Sequence, residues 1–206
     1  MKIGLIILVI LLILALILGS SYVSRRNQMA IKREAVNAAW AQMDVVLQRR
    51  ADLIPNLVAT VKGFAVHEEQ VFSEIAQARS ALIGARTPAD KIAANGALDS
   101  ALSRLLVITE NYPQLKSNEN FLRLQDELAG TENRIAVERR RYNEVVQDYN
   151  TFIATFPNSL VASIGGFTRN DAYFKTEEGA RTAPKVNFDF NKSTSPTPAQ
   201  PTPARP

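Results

Sequence analysis

Residues 37–82, NAAWAQMDVVLQRRADLIPNLVATVKGFAVHEEQVFSEIAQARSAL, hold the main clue to the fold. Apolar side chains recur at Val36, Trp40, Met43 and Leu47, then at Ile54, Leu57, Val61 and Phe64, then at Val71 and Ile75, in steps of three and four. That spacing predicts helix burying one stripe. Two steps of the ladder fall on Arg50 and Glu68, so charge interrupts the seam, and Pro55 sits within it. Proline deep inside a helix costs about 3 kcal/mol through a lost bond and a ring clash, but little in the first turn. Two arrangements follow. Either Asp52 caps a new helix with Pro55 in its first turn, or the ladder runs through the proline as one long kinked helix.

The same words carry a resemblance. The segment AW-x-Q-x-D at residues 39–44, RR-x-DLIPNLV at 49–58, VKG-aromatic-x-x-HE at 61–68, and the later run ENFLRLQDELAGTENRIAVERRRYNEVVQDYN resemble the LemA family over most of residues 27–160. The resemblance implies a four-helix bundle and no agreed biochemical activity. It tips the choice toward a break near Asp52, with four helices in antiparallel up-and-down order and three long helices as the alternative.

Upstream, Ile3 to Leu18 carries no polar side chain, and the run extends to Val23. These 21 residues make about 31 Å of helix, enough to span a bilayer. A cleaved signal peptide, with Gly19 and Ser21 at its cleavage site, is the rival, but the apolar core is longer than such peptides use. Lys2 precedes the span, whereas Arg25, Arg26, Lys32 and Arg33 follow it. The positive-inside rule therefore places the bulk of the chain in the cytoplasm, anchored in the inner membrane.

Downstream, a segment from Leu53 is expected to end near Gly84. Thr87, Pro88 and Asp90 form an N-cap signal for a helix burying Leu98, Leu102, Leu105 and Tyr112, stopped by Pro113. A last helix from Ser117 keeps its ladder through Phe121, Leu124, Leu128, Ile135, Tyr142, Val145, Tyr149, Phe152 and Phe156, with Thr131 and Glu138 as polar steps. Gly130 in its middle predicts a close helix contact. With four helices this last one returns toward the membrane, delivers residues 156–167 (FPNSLVASIGGF) near the bilayer, and sets Glu68 level with Arg134; with three, Arg79 lies beside Glu138. The expected organisation is an all-α chain with an anchor at 1–23, a bundle at 24–168, an extended strap at 169–190 and a disordered proline-rich tail at 191–206.

Composition narrows the chemistry. With no cysteine in 206 residues, disulfides, thiolate catalysis and cysteine-bound metals are excluded. A net charge of +4 falls short of the basic surface a nucleic-acid binder needs. His67 is the single histidine, and no Glu-x-x-His pair accompanies it, since position 64 is phenylalanine. Ser73, Ser80, Ser100 and Ser103 have no nucleophile turn around them, and Gly165 and Gly166 are too few to cradle a phosphate. No catalytic, cofactor or metal residue is assigned. Arg49, Arg50, Asp52, Asn56, Lys62, His67, Glu68, Arg79, Arg134 and Glu138 are instead expected to form an inter-helix polar network or an interaction surface. The function expected is that of a non-enzymatic, single-pass membrane scaffold or adaptor, with a second copy or another membrane protein as partner; the resemblance fits envelope stress or membrane organisation. The alternatives are a hydrolase or metalloenzyme using Asp52, His67 and Glu68, and lipid binding by the basic cluster together with Phe156, Phe167 and the residues between them.

Overall fold

In a computed structural model, which describes residues 2–174, six helices form an all-α fold. They are α1 (Lys2–Lys62), α2 (Glu69–Gly84), α3 (Pro88–Thr109), α4 (Pro113–Lys116), α5 (Glu119–Ala154) and α6 (Asn158–Gly165). The strap beyond Phe174 and the proline-rich tail at 191–206 lie outside the described residues.

The helices are arranged around one long antiparallel pair. Lys32 Nζ lies 2.5 Å from Asp148 Oδ2, Trp40 meets Tyr142 with ring centroids 5.3 Å apart, and Arg50 Nη1 lies 3.1 Å from Glu132 Oε2. As the position rises on α1 it falls on α5, so α5 returns along α1 toward the apolar run. The seam between them follows the ladder read from the sequence and departs from it at Phe64, which is exposed, and at Val145, where the neighbouring Val146 is the buried residue. Val36, Met43, Leu47, Ile54, Leu57 and Val61 of α1 are buried, as are Phe121, Ile135, Tyr142, Val146 and Tyr149 of α5. Burying one such side chain contributes about 1.5–3 kcal/mol, which makes this seam the main source of cohesion.

A shorter hairpin, α2 and α3, covers the far half of the pair. Thr87 caps α3 as expected, its hydroxyl accepting from the Asp90 backbone N–H at 3.1 Å, with Pro88 in the first turn. Phe72, Ile75, Ala78 and Leu82 of α2, with Leu98, Ala101, Leu102 and Leu105 of α3, turn into the same core. Lys91 pairs with Asp44, Arg79 reaches Ala51, and Tyr112 reaches Glu68. The hairpin thus spans the level of residues 44–68 and leaves the rest of the α1–α5 pair to α6 and the residues after it.

The first helical break differs from the one expected. α1 passes Asp52 and Pro55 without interruption, and the chain turns at residues 63–68 instead. The reason is on the neighbouring helix. Pro55 has no N–H to give the carbonyl of Ala51, four residues earlier. Arg79 Nε of α2 donates to that oxygen at 2.7 Å and replaces the missing bond. Asp52 remains within the helix, exposed, and accepts from Gln48 Nε2 at 2.9 Å rather than capping anything. At the true turn the N–H groups of Phe64 and Ala65 both bond Val61 O, and Ala65 is fully buried, which seats the turn on the core.

Smaller differences have equally local causes. Pro113 does not only stop α3, which ends at Thr109; it opens the four-residue α4, a place where proline's missing N–H goes unnoticed. Asn118, not Ser117, caps α5, accepting from Phe121 N at 3.0 Å, and α5 ends at Ala154, before Phe156. A Cβ on Gly130 would meet nothing within 4 Å, so that glycine marks no close helix contact.

Candidate functional site

Two clusters of polar side chains stand out, one in each half of the α1–α5 pair. The far cluster is built on Arg50, the seam position where the apolar ladder meets a charge. Only 7% exposed, it has little access to bulk water and finds its partners in the protein. Its Nη1 lies 2.5 Å from Asp99 Oδ1 and donates to Asn95 Oδ1 at 3.0 Å, both on α3. Asn95 in turn donates to Asp99 Oδ2 at 3.0 Å. Glu132 Oε2 of α5 lies 3.1 Å from the same nitrogen without a hydrogen bond to it. One guanidinium therefore joins three helices.

Burial pushes the Asp99 carboxyl above its usual range; the Arg50 guanidinium pulls the other way, and Glu132 adds to the rise. The phenol of Tyr112 is also raised, by desolvation and by the hydrogen bond it gives Glu68 Oε1 at 3.2 Å. That bond ties the α1–α2 turn to the α3–α4 turn. It also explains why Glu68, at the N-cap position of α2, makes no side-chain cap to its own helix.

The near cluster is built on α5. Asn150 donates to Asn170 O at 2.7 Å and accepts from Asn170 N at 2.9 Å; Asn143 treats Phe174 the same way, at 2.8 and 3.0 Å. Each side-chain amide thus satisfies both backbone groups of one residue in an extended segment, as a neighbouring strand would. Tyr149 adds a bond to Thr168 O at 2.9 Å, and Phe174 stacks on Trp40 with centroids 6.3 Å apart and meets Tyr142 edge to face at 6.0 Å. Arg33 sits over the Phe167 ring. A groove of about 420 Å³ runs between this segment and α1, lined by Arg33, Asn37, Tyr149 and Arg169 among others.

The ten residues singled out in the sequence fall in different places. Arg50, Glu68 and Arg79 enter inter-helix contacts. Arg49, Asp52, Asn56, Lys62, His67 and Arg134 are exposed, with Lys62 lying over the Phe72 ring on α2. Glu138 is half-buried and its nearest cation is Arg141, 3.9 Å away on its own helix. The expected pairings change accordingly: Glu68 takes Tyr112 rather than Arg134, and Arg79 takes the Ala51 carbonyl rather than Glu138. Asp52 lies ten residues, about 15 Å of helix, before the end of α1, whereas His67 and Glu68 lie in the turn beyond it, so the three do not meet in a cleft. Among the described residues no group of three or more His, Asp or Glu side chains is placed to hold a metal ion. Asn95, Asp99, Glu132, Asn143 and Asn150 are not among the expected site residues, and Tyr112, expected as a buried step of α3, lies beyond its end, half-buried and bonded to Glu68. Asn95 had a signal, because it opens the three-and-four ladder that continues through Leu98, Leu102, Leu105 and Thr109.

The fold defines a class: an all-α protein whose first helix carries one stretch long and apolar enough to cross a membrane and continues from it into a helical bundle. The family model for the LemA family matches residues 39–188, and the chain belongs to that family. It is 27% identical to magnetosome protein MamQ 2 of Paramagnetospirillum magneticum over 184 residues, 77% of this chain and 67% of that protein. It is 26% identical to magnetosome protein MamQ of Magnetospirillum gryphiswaldense, over 75% of this chain and 66% of that protein. Protein LemA of Metamycoplasma hominis is also 26% identical, over 68% of this chain and 65% of its own length. The chain spans about two thirds of the length of these relatives.

Proposed function

We propose that this protein is a non-enzymatic, single-pass scaffold of the inner membrane, with its bundle on the cytoplasmic side. It acts by protein contact, in envelope stress or in the organisation of membranes. The observation that carries this reading is the continuity of α1: 61 residues of helix join the apolar run to the centre of the bundle with no linker between them. A helix is stiff where a loop is not, so the bundle is held at a set angle to its anchor, as a platform for partners requires. The buried polar groups support the same reading, since Arg50 is engaged with α3 and α5 and Arg79 with a carbonyl of α1. Such groups set register and hold helices together. The relatives named magnetosome proteins favour membrane organisation over a soluble role.

The test is cross-linking of the full chain in intact membranes, followed by identification of what is captured. A discrete partner, either a second copy or another membrane protein, is expected. A second measurement addresses catalysis. Alanine at Asp52, His67 and Glu68 together should leave cellular function at the wild-type level wherever the melting temperature is retained. Loss of function in a fully folded triple variant would move the protein into the enzyme class.

A further inference from the structure

The segment after α5 carries three large apolar side chains that nothing in the bundle covers. Phe156 is 80% exposed, Leu160 58% and Ile164 75%, spaced four residues apart, while Asn158, Val161 and Ala162 on the other side of α6 are buried. α6 is thus apolar on both sides, with Val161 and Ala162 seated on the bundle and Leu160 and Ile164 turned outward. Its height along α1 is set by a hydrogen bond: Arg25 Nη1 donates to Asn158 Oδ1 at 2.5 Å. Arg25 lies two residues past Val23, the last residue of the apolar run, which is about 3 Å of helix. Tyr22, within the run, packs against the core beside it. The polar layer of a bilayer is about 5–8 Å thick on each side. A span ending at Val23 therefore puts Asn158 and the start of α6 inside that layer.

Two further features fit a lipid surface better than a protein one. The side chains of α1 on the membrane side of Arg25 are themselves apolar and exposed, with Ile3 to Leu18 offering no polar group. Arg25 reaches α6 and Arg33 lies over Phe167 just beyond it, and with Arg26 on the same stretch of α1 they suit anionic headgroups. The chain then leaves at once. Gly166, with φ of 70°, caps α6 in the left-handed region that glycine tolerates, and the segment after it bonds first to Tyr149 and Asn150 and then, seven residues farther from the apolar run than Asn150, to Asn143.

We infer that α6 is a membrane-surface helix: Phe156, Leu160 and Ile164 insert into the interfacial layer of the leaflet where α1 emerges and give the bundle a second point of attachment to the bilayer. This rests on the reading of α1 as an anchor, and the test separates the two. The chain lacks cysteine, so single labels are unambiguous. Full-length Leu160→Cys and Ile164→Cys, each carrying an environment-sensitive fluorophore, are reconstituted in phosphatidylcholine vesicles with and without phosphatidylglycerol, and with brominated lipid as quencher. Leu12→Cys reports the anchor, and Val137→Cys on the exposed face of α5 reports solvent. Quenching at Leu160 and Ile164 about twofold or more above that at Val137, strengthened by phosphatidylglycerol, is the expected result. Introducing Ile164→Glu should reduce the quenching at Leu160. Quenching at Leu12 with none at Leu160 and Ile164 overturns the surface helix and leaves the anchor standing. No quenching at Leu12 removes both. Shielding of Leu160 that bromine does not quench and that vanishes on dilution with lipid assigns the face to a second copy, and overturns the inference as well.

Discussion

The two halves of the α1–α5 pair solve one problem in different ways. A pair of helices buries the seam between them but leaves each helix an uncovered flank. In the half far from the apolar run, α2 and α3 supply the cover, and the price of four helices meeting is a charged residue at the centre, answered by Asp99, Asn95 and Glu132. In the near half no helix of the hairpin reaches, and α6 and residues 167–174 lie there instead. Residues 167–174 bond one another only locally, as from Tyr173 N to Asp171 O, and Asn143 and Asn150 serve the backbone groups of Phe174 and Asn170. The two asparagines are seven residues apart, about 10.5 Å of helix, and they hold residues four apart in a chain that spans at most about 13 Å. Helix packing thus predicts a far half that opens as a unit and a near half whose closing segment opens separately.

The largest effect should come from breaking the far half at its centre. Arg50→Met removes the cation and leaves the half-buried Asp99 without it, an expected loss of about 3 kcal/mol in chemical denaturation, the lower end for breaking a buried pair. Adding Asn95→Leu and Asp99→Leu should recover most of that loss, because well-packed apolar groups replace a buried ion pair at little cost. If the triple variant is no more stable than Arg50→Met, the network does more than hold the helices together.

Next in size is the repair at Pro55. Arg79→Met should cost about 1.5–3 kcal/mol, the range for a hydrogen bond to a charged donor. In a Pro55→Ala background, where an ordinary N–H serves Ala51 O, the same change should cost clearly less. Equal losses in the two backgrounds would separate Arg79 from the proline.

A smaller and local effect is expected in the near half. Asn150→Ala should lower global stability by only about 1 kcal/mol, yet raise amide exchange at Asn170 and its neighbours while the α2–α3 hairpin keeps its protection. Matching increases in both halves would contradict the division between them.

The subtlest test is pH. Burial raises Asp99 above its ordinary value of 3.8, so the folded chain holds that proton more tightly than the unfolded chain. Its contribution to stability is full below the unfolded value and lost as pH rises through the folded one. Asp99→Asn should remove this part of the fall in stability with rising pH, read by melting at a series of acidic pH values. An unchanged profile would mean that Asp99 titrates alike in both states.

Much of this was legible in residue order. Steps of three and four marked the faces of α1, α3 and α5, and placed Arg50 on a buried seam before any partner was known. Thr87-Pro88 announced the start of α3. The asparagine clamps had a faint trace in the repeated Tyr-Asn pair at 142–143 and 149–150, where the tyrosines held the ladder and the asparagines were passed over. Pro55 misled because the rule it obeys concerns an isolated helix.

Periodicity, capping and apolar length act within a few residues of chain, and those local terms were enough for an all-α fold, an apolar first helix and a charged seam. Which carbonyl Arg79 serves, where the first helix ends, and how Asn143 and Asn150 hold the strap depend on groups 20 to 31 residues apart. Such contacts exist only once the helices have docked, since it is docking that excludes water and makes each unpaired polar group costly enough to choose its partner.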